Sequence, residues 1–234
     1  MLKRVIVPVL LAGTIMGAGL ARAEPFSQMV AFSGALSDTG NFNAELGQDR
    51  PAPFYKNRST NGPVAVEELA RWLGQSAEPS MHLTSDTGGT NFAVADALAG
   101  GHGPHDLPAQ VDAHLARNGG KADPKALYFV FIGGNDVIKA VQEMDDATAE
   151  KTLSDAVAGI ETQIKRLVAA GAVTIYAPDF IDVGKSPAVL AFGPEAAARS
   201  RLTRFAVMSR TIPSIAASAS ISVSAASKTC SLSS

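Results

Sequence analysis

Ala126-Leu127-Tyr128-Phe129-Val130-Phe131-Ile132 is the stretch on which the fold turns, and Gly133-Gly134-Asn135-Asp136 follows it directly. The run has no charged or amide side chain, so both faces of a strand built from it must be covered. That predicts a central strand of a parallel sheet. Downstream, Thr148 to Ala170 carries Leu153, Val157, Ile160, Ile164 and Leu167 at helical spacing, and Gly171 ends it. Val173-Thr174-Ile175-Tyr176 then predicts the next strand, which completes a strand–helix–strand unit of an α/β sheet. Upstream, Met29-Val30-Ala31-Phe32 predicts a first buried strand ending in a Ser33-Gly34 turn. Pro63 is expected to open a helix with Val64, Val66, Leu69, Ala70 and Leu73 on its apolar stripe and Trp72 in the core. Thr90 to Ala95 predicts a second strand, and Leu107 to Leu115 a short helix starting at Pro108.

Composition narrows the function. The chain has 234 residues, 46% hydrophobic and 18% charged, which suits one folded domain and excludes a disordered or coiled-coil chain. A net charge of -2 argues against a nucleic-acid binder that relies on a basic face. The single cysteine, Cys230, excludes an internal disulfide and a thiolate zinc cluster; it is expected to pair between molecules.

The two ends read differently from the middle. Met1 to Ala23 has Lys3 and Arg4, then an apolar stretch broken by Pro8, Gly13, Gly17 and Gly19, then Ala21-Arg22-Ala23. This is the layout of a cleaved secretory signal rather than a membrane anchor, so export to the periplasm or medium is expected, with no stable membrane span. The domain is then expected over 24–205. Residues 206–234 are rich in serine and alanine, and the chain has no Asp or Glu from Ala196 onward. A poorly ordered tail is expected there, although the alternation from Ser218 to Ser224 also permits an edge strand. The change of composition near Phe205 is the kind a shifted reading frame produces.

The strand-to-helix turn after Phe32 reads Ser33-Gly34-Ala35-Leu36-Ser37-Asp38-Thr39-Gly40-Asn41. With Asn57-Arg58-Ser59-Thr60-Asn61-Gly62-Pro63, Gly89-Thr90-Asn91-Phe92-Ala93, Ile132-Gly133-Gly134-Asn135-Asp136, Pro178-Asp179 and Ser186-Pro187-Ala188, it resembles the SGNH/GDSL family of ester hydrolases. The resemblance spans roughly Met29 to Leu202. It implies a flavodoxin-like three-layer α/β/α domain with a parallel sheet, its last strand and helix missing here. It also implies a cofactor-free, metal-free carboxylic-ester hydrolase acting on lipid or small-molecule esters through an acyl-enzyme.

Mapping the family's machinery onto these residues gives a mixed result. Asn135 matches the side-chain donor of the oxyanion site, with Gly34, Ala35, Gly134 and Asp96 around the substrate. The nucleophile's place holds Ala35, which has no heteroatom. Ser37 is the fallback nucleophile, with Ser33 behind it, although Ser37 with Asp38 also reads as a helix-start cap and Ser33 as a turn residue. Asp96 stands where the family has a glycine, and its carboxylate would oppose a developing anion unless turned away. Asp136 reads as an N-cap. The histidines, His82, His102, His105 and His114, all precede Asn135, so none matches the family's C-terminal base. His102 and His105 read as solvent-exposed loop residues, and His82 and His114 as surface or packing residues. Asp112, Asp145 and Asp146 read as solvated helix-end acids. Three outcomes stay open: an ester hydrolase, a silent relative that binds an acyl or glycan ligand, or a truncated product without function.

Overall fold

A computed structural model describes residues 26–85, 87–143, 145–178, 182–196 and 220–222. Residues 1–25, where a leader is expected, Asp179, Cys230 and most of the tail lie outside them. Strand β1 (Met29–Ser33) pairs in parallel with β2 (Leu127–Phe131), β2 with β3 (Thr174–Tyr176), and β3 with β4 (Ser220–Ser222). The predicted strand at Thr90 to Ala95 is reduced to a single parallel bridge, Asn91 to Ala31. The segment still runs beside β1: Thr90 accepts from the Ala31 N–H, and Phe92 and Val94 donate to Ala31 and Ser33. Counting it as the second strand gives the flavodoxin-like order 2-1-3-4-5, which puts the ligand-binding edge beyond the carboxyl ends of β1 and β2.

Strand alternation divides the core into two layers. Val30, Phe32, Tyr128 and Val130 face α3 (Leu107–Arg117) and α5 (Asp146–Ala169), where Leu107, Val111, Ile164 and Leu167 meet them. Met29, Ala31, Leu127 and Phe129 face Val64, Val66 and Ala70 around α2 (Ala65–Trp72). Each such large side chain, fully buried, stabilises the fold by ~1.5–3 kcal/mol. This is the three-layer α/β/α arrangement. Short helix α1 (Asn41–Glu45) follows the first turn, and α4 (Gly134–Gln142) follows β2. α4 packs Val137 and Val141 against Val183 and against Val189 of α6 (Pro187–Leu190).

Several sequence expectations need correction. Trp72 is not core: it is 77% exposed, because α2 turns Val66 and Ala70 inward and carries Trp72 outward. Pro63 does not begin the helix. Val64 is the cap, and Glu67 closes the first turn by accepting from the Val64 N–H at 2.8 Å. Asp145 does cap α5, accepting from the Thr148 N–H at 2.8 Å. In the tail, Ser220–Ser222 form the edge strand that the alternation permitted.

Candidate active site

The site is built on the turn that leaves β1. Ser33, the last strand residue, is held at both backbone groups by Gln110 of α3: Oε1 accepts from the Ser33 N–H at 3.0 Å, and Nε2 donates to the Ser33 carbonyl at 2.9 Å. Asp38 then pins the far side of the turn. Its carboxylate accepts from the N–H groups of Gly40, Asn41 and Phe42 at 2.7, 2.9 and 3.2 Å, so of the pair Ser37 and Asp38 it is Asp38 that holds the first amides before and within α1, whose cap is Gly40. Burial raises the Asp38 pKa, and its bonds from the Gly40, Phe42, Asn41 and Ala95 amides oppose the rise. Asn91 donates to the Ser37 carbonyl at 2.7 Å, and Asn41 donates to the carbonyls of Asn91 and Ala93 at 2.8 and 2.9 Å. Buried Arg58 bonds the Thr39 carbonyl and Glu67 at 3.2 and 2.8 Å, tying the turn to α2. The turn is thus clamped from four directions, as a preorganised site requires.

Within that clamp only the middle of the turn meets solvent. Ala35 and Leu36 are exposed, whereas Ser33 and Ser37 are 0% and 1% exposed. The Ser33 and Ser37 hydroxyls bond each other at 2.9 Å, and Ser33 Oγ also bonds the Phe131 carbonyl. The hydroxyl of Ser37 is therefore engaged by another hydroxyl, away from the surface a substrate would approach. The one side chain facing that surface from the nucleophile's position is the methyl group of Ala35.

Asn135, in the first turn of α4, lies beside this turn: a Cβ placed on Gly34 would sit 3.5 Å from its Nδ2. Nδ2 donates to the carbonyls of Ala95 and Ala97 at 3.1 and 2.8 Å, so it grips the loop on either side of Asp96. Both amide protons are thereby engaged, and holding an oxyanion would mean releasing the longer bond, to Ala95. Gly133 supplies the cap of α4 with φ 121°, a conformation that a side chain would strain. Asp136 is not that cap. It lies buried in the first turn and accepts from the N–H groups of Ala99 and Gly100 at 2.8 and 3.0 Å. Burial raises its pKa, and those two amides counter the rise. Consecutive residues of α4 thus hold one loop, Asn135 through carbonyls and Asp136 through amides. Neither the Ala35 nor the Asp96 N–H donates to a backbone carbonyl of the described residues. Gly34, Ala35, Asp96, Gly134 and Asn135 share this edge of the sheet.

The histidines divide by environment. His102 is exposed. His105 is not the solvated loop residue expected: its side chain is 19% exposed and bridges Glu45 through Nε2 and Asp96 through Nδ1, each at 2.5 Å. His114 packs in the core, and His82 bonds Ser80 at 2.6 Å. Asp112 pairs with Arg166 at 2.5 Å. Sequence reasoning gave no role to Gln110 or Glu45. Gln110 had a legible signal, since Leu107, Gln110, Val111 and His114 fall on one helical stripe and a buried amide there needs a partner. Glu45 had none.

Against this geometry the likenesses to known proteins are consistent. A family model described as GDSL-like Lipase/Acylhydrolase matches residues 33–220. The chain is 29% identical over 175 residues to Lipase 1 of Photorhabdus luminescens, covering 74% of this chain and 25% of that protein. It is 30% identical over 183 residues to Esterase EstA of Pseudomonas aeruginosa, covering 64% of this chain and 28% of the relative. It is 27% identical over 170 residues to a phosphatidylcholine-sterol acyltransferase of Aeromonas hydrophila, covering 69% and 47%. The chain therefore spans between a quarter and a half of the length of these relatives. No helix among the described residues is long and apolar enough to cross a membrane. With the matched model covering most of the chain, and the turn, the parallel sheet and the Asn135 loop in place, this protein belongs to the GDSL-like lipase/acylhydrolase family of SGNH α/β hydrolases.

Proposed function

We propose that this domain keeps the acyl-ester cleft of a serine ester hydrolase and binds an acyl ligand there without turning it over. One observation carries the reading: the exposed positions of the turn are Ala35 and Leu36, neither of which has a hydroxyl, while Ser33 and Ser37 are buried and bonded to each other. An acyl-enzyme needs a hydroxyl or thiol at the attacking position, and a methyl group supplies neither lone pair nor proton. The amides of Ala35 and Asp96 provide donors for a carbonyl or carboxylate oxygen, joined by Asn135 once it releases the Ala95 carbonyl. Names of the relatives support an ester as the ligand class, and the leader read at Met1–Ala23 supports export.

The test uses the purified chain with p-nitrophenyl esters, a fluorophosphonate label and octanoate. The expected results are no turnover, no labelled serine, and a rise in Tm with octanoate as binding to the folded state requires. Ester turnover that disappears in Ser37→Ala would overturn the reading and restore the hydrolase with Ser37 as nucleophile.

A further inference from the structure

Asp96 presents a problem at this edge. It lies between the two carbonyls that Asn135 grips, and its N–H donates to no backbone carbonyl of the described residues. Its own carboxylate, 55% exposed, would repel an anionic ligand head at that place. Glu45, the last residue of α1, brings a second carboxylate to the same place. The structure answers with His105. Its ring lies edge-on to Phe42 at 5.8 Å between centroids, and its backbone carbonyl is anchored by Gln110 Nε2 at 2.8 Å, the same nitrogen that holds Ser33. From that fixed base Nδ1 reaches Asp96 and Nε2 reaches Glu45. A neutral imidazole has one N–H and cannot donate to both carboxylates; the imidazolium donates to both.

We propose that His105 is a positioning residue of the cleft: bridged between Glu45 and Asp96, it draws the Asp96 carboxylate aside and balances its charge, so that the adjacent amides can take the negatively charged head of an acyl ligand. The inference rests on the acyl-binding reading above. It explains how an aspartate stands beside an anion-holding site. It also places specificity in a residue of the α3 approach rather than in the turn itself.

The experiment measures octanoate and octanamide binding to the full chain, to His105→Gln, to His105→Arg and to the double variant His105→Gln with Asp96→Asn. The expected results are a loss of about tenfold in octanoate affinity in His105→Gln, as an uncompensated charge at short range requires, with octanamide affinity unchanged. His105→Arg, which keeps the cation, retains octanoate binding, and the double variant regains it. Equal weakening of both probes in His105→Gln shows a merely structural role and overturns the inference while the cleft stands. Unchanged octanoate affinity in that variant overturns it as well. Failure of both probes to bind the unmodified chain removes the acyl-binding reading and this inference with it. If His105→Gln does not fold, His105→Arg beside Asp96→Asn decides. Octanoate binding kept by the first and kept or tightened by the second supports the inference, and loss in both sinks it.

Discussion

The ring of His114 is closed in by Phe32, Phe92 and Tyr128 at centroid separations of 5.6, 5.5 and 5.7 Å. Burial, with Arg117 nearby, lowers its pKa to about 4 from the ordinary 6.5. The unfolded chain titrates this group near 6.5. Between about pH 6.5 and 4 the unfolded state therefore binds more protons, and stability falls as the pH falls. A shift of this size corresponds to about 3 kcal/mol, fully present above pH ~6.5 and lost by pH ~4. Asp38 and Asp136, raised by burial, act in the opposite sense at acid pH. The contribution is therefore read as a difference: denaturant melts across this window are expected to show a flatter pH dependence in His114→Gln than in the unmodified protein. Identical slopes in the two proteins would mean that the ring titrates in the fold as it does in the unfolded chain. The exposed Ala35 belongs to the same scale, where one missing oxygen decides the chemistry.

Helices set the next scale, and α2 and α5 make opposite demands. α2 buries Val66 and Ala70 and leaves Trp72 in solvent, so Trp72→Ala is expected to change stability by no more than ~0.5 kcal/mol. A core tryptophan would cost ~3–5 kcal/mol, and a Tm drop on that scale would contradict the fold. α5 approaches the loop after Asp96 so closely that a Cβ on Gly159 would lie 2.2 Å from the Ala99 carbonyl oxygen. Glycine to alanine in an exposed helix adds ~1 kcal/mol of propensity. Here the clash is with backbone, and forcing the elements apart costs ~1–3 kcal/mol and wins. Gly159→Ala is therefore expected to lower Tm. Because Asp136 holds Ala99 and Gly100, and Asn135 holds Ala95 and Ala97, it should weaken octanoate binding too. A stabilised Gly159→Ala protein would show that the loop yields freely.

At the scale of the whole molecule the sheet is a set of parallel strands covered on both faces, with β4 protecting the edge of β3. Ile221 is in register with buried Ile175, at the centre of β4, and Ile221→Pro places there a residue that strand pairing tolerates poorly. Lower Tm and concentration-dependent aggregation are expected in light scattering, since an uncovered strand edge pairs with other chains. An unchanged melt would show that β4 adds nothing to the edge. The same scale explains the cleft: the turn after β1 and the loop after β2 end at the same side of adjacent parallel strands. Parallel pairing alone brings Ala35 and Asn135 together from positions a hundred residues apart.

Local chemistry made much of this legible in advance. Residues 126–132 announced a doubly covered strand because no polar side chain offered either face to water, and residues 148–170 announced their helix by its spacing. The replacement of a hydroxyl by Ala35 was also visible, since covalent identity needs no fold. Burial and pairing across distance were not. Trp72 shares the helical periodicity of core residues and was carried outward by the pitch of α2 against the sheet. Asp136 looked like a cap until the loop at Ala99 came within reach of it. His105 acquired Glu45 and Asp96 only because α1, the loop after Asn91 and the start of α3 converge. Sequence governs what each residue can do within a few neighbours; the packing of layers decides which distant groups share a dielectric, a proton or a charge.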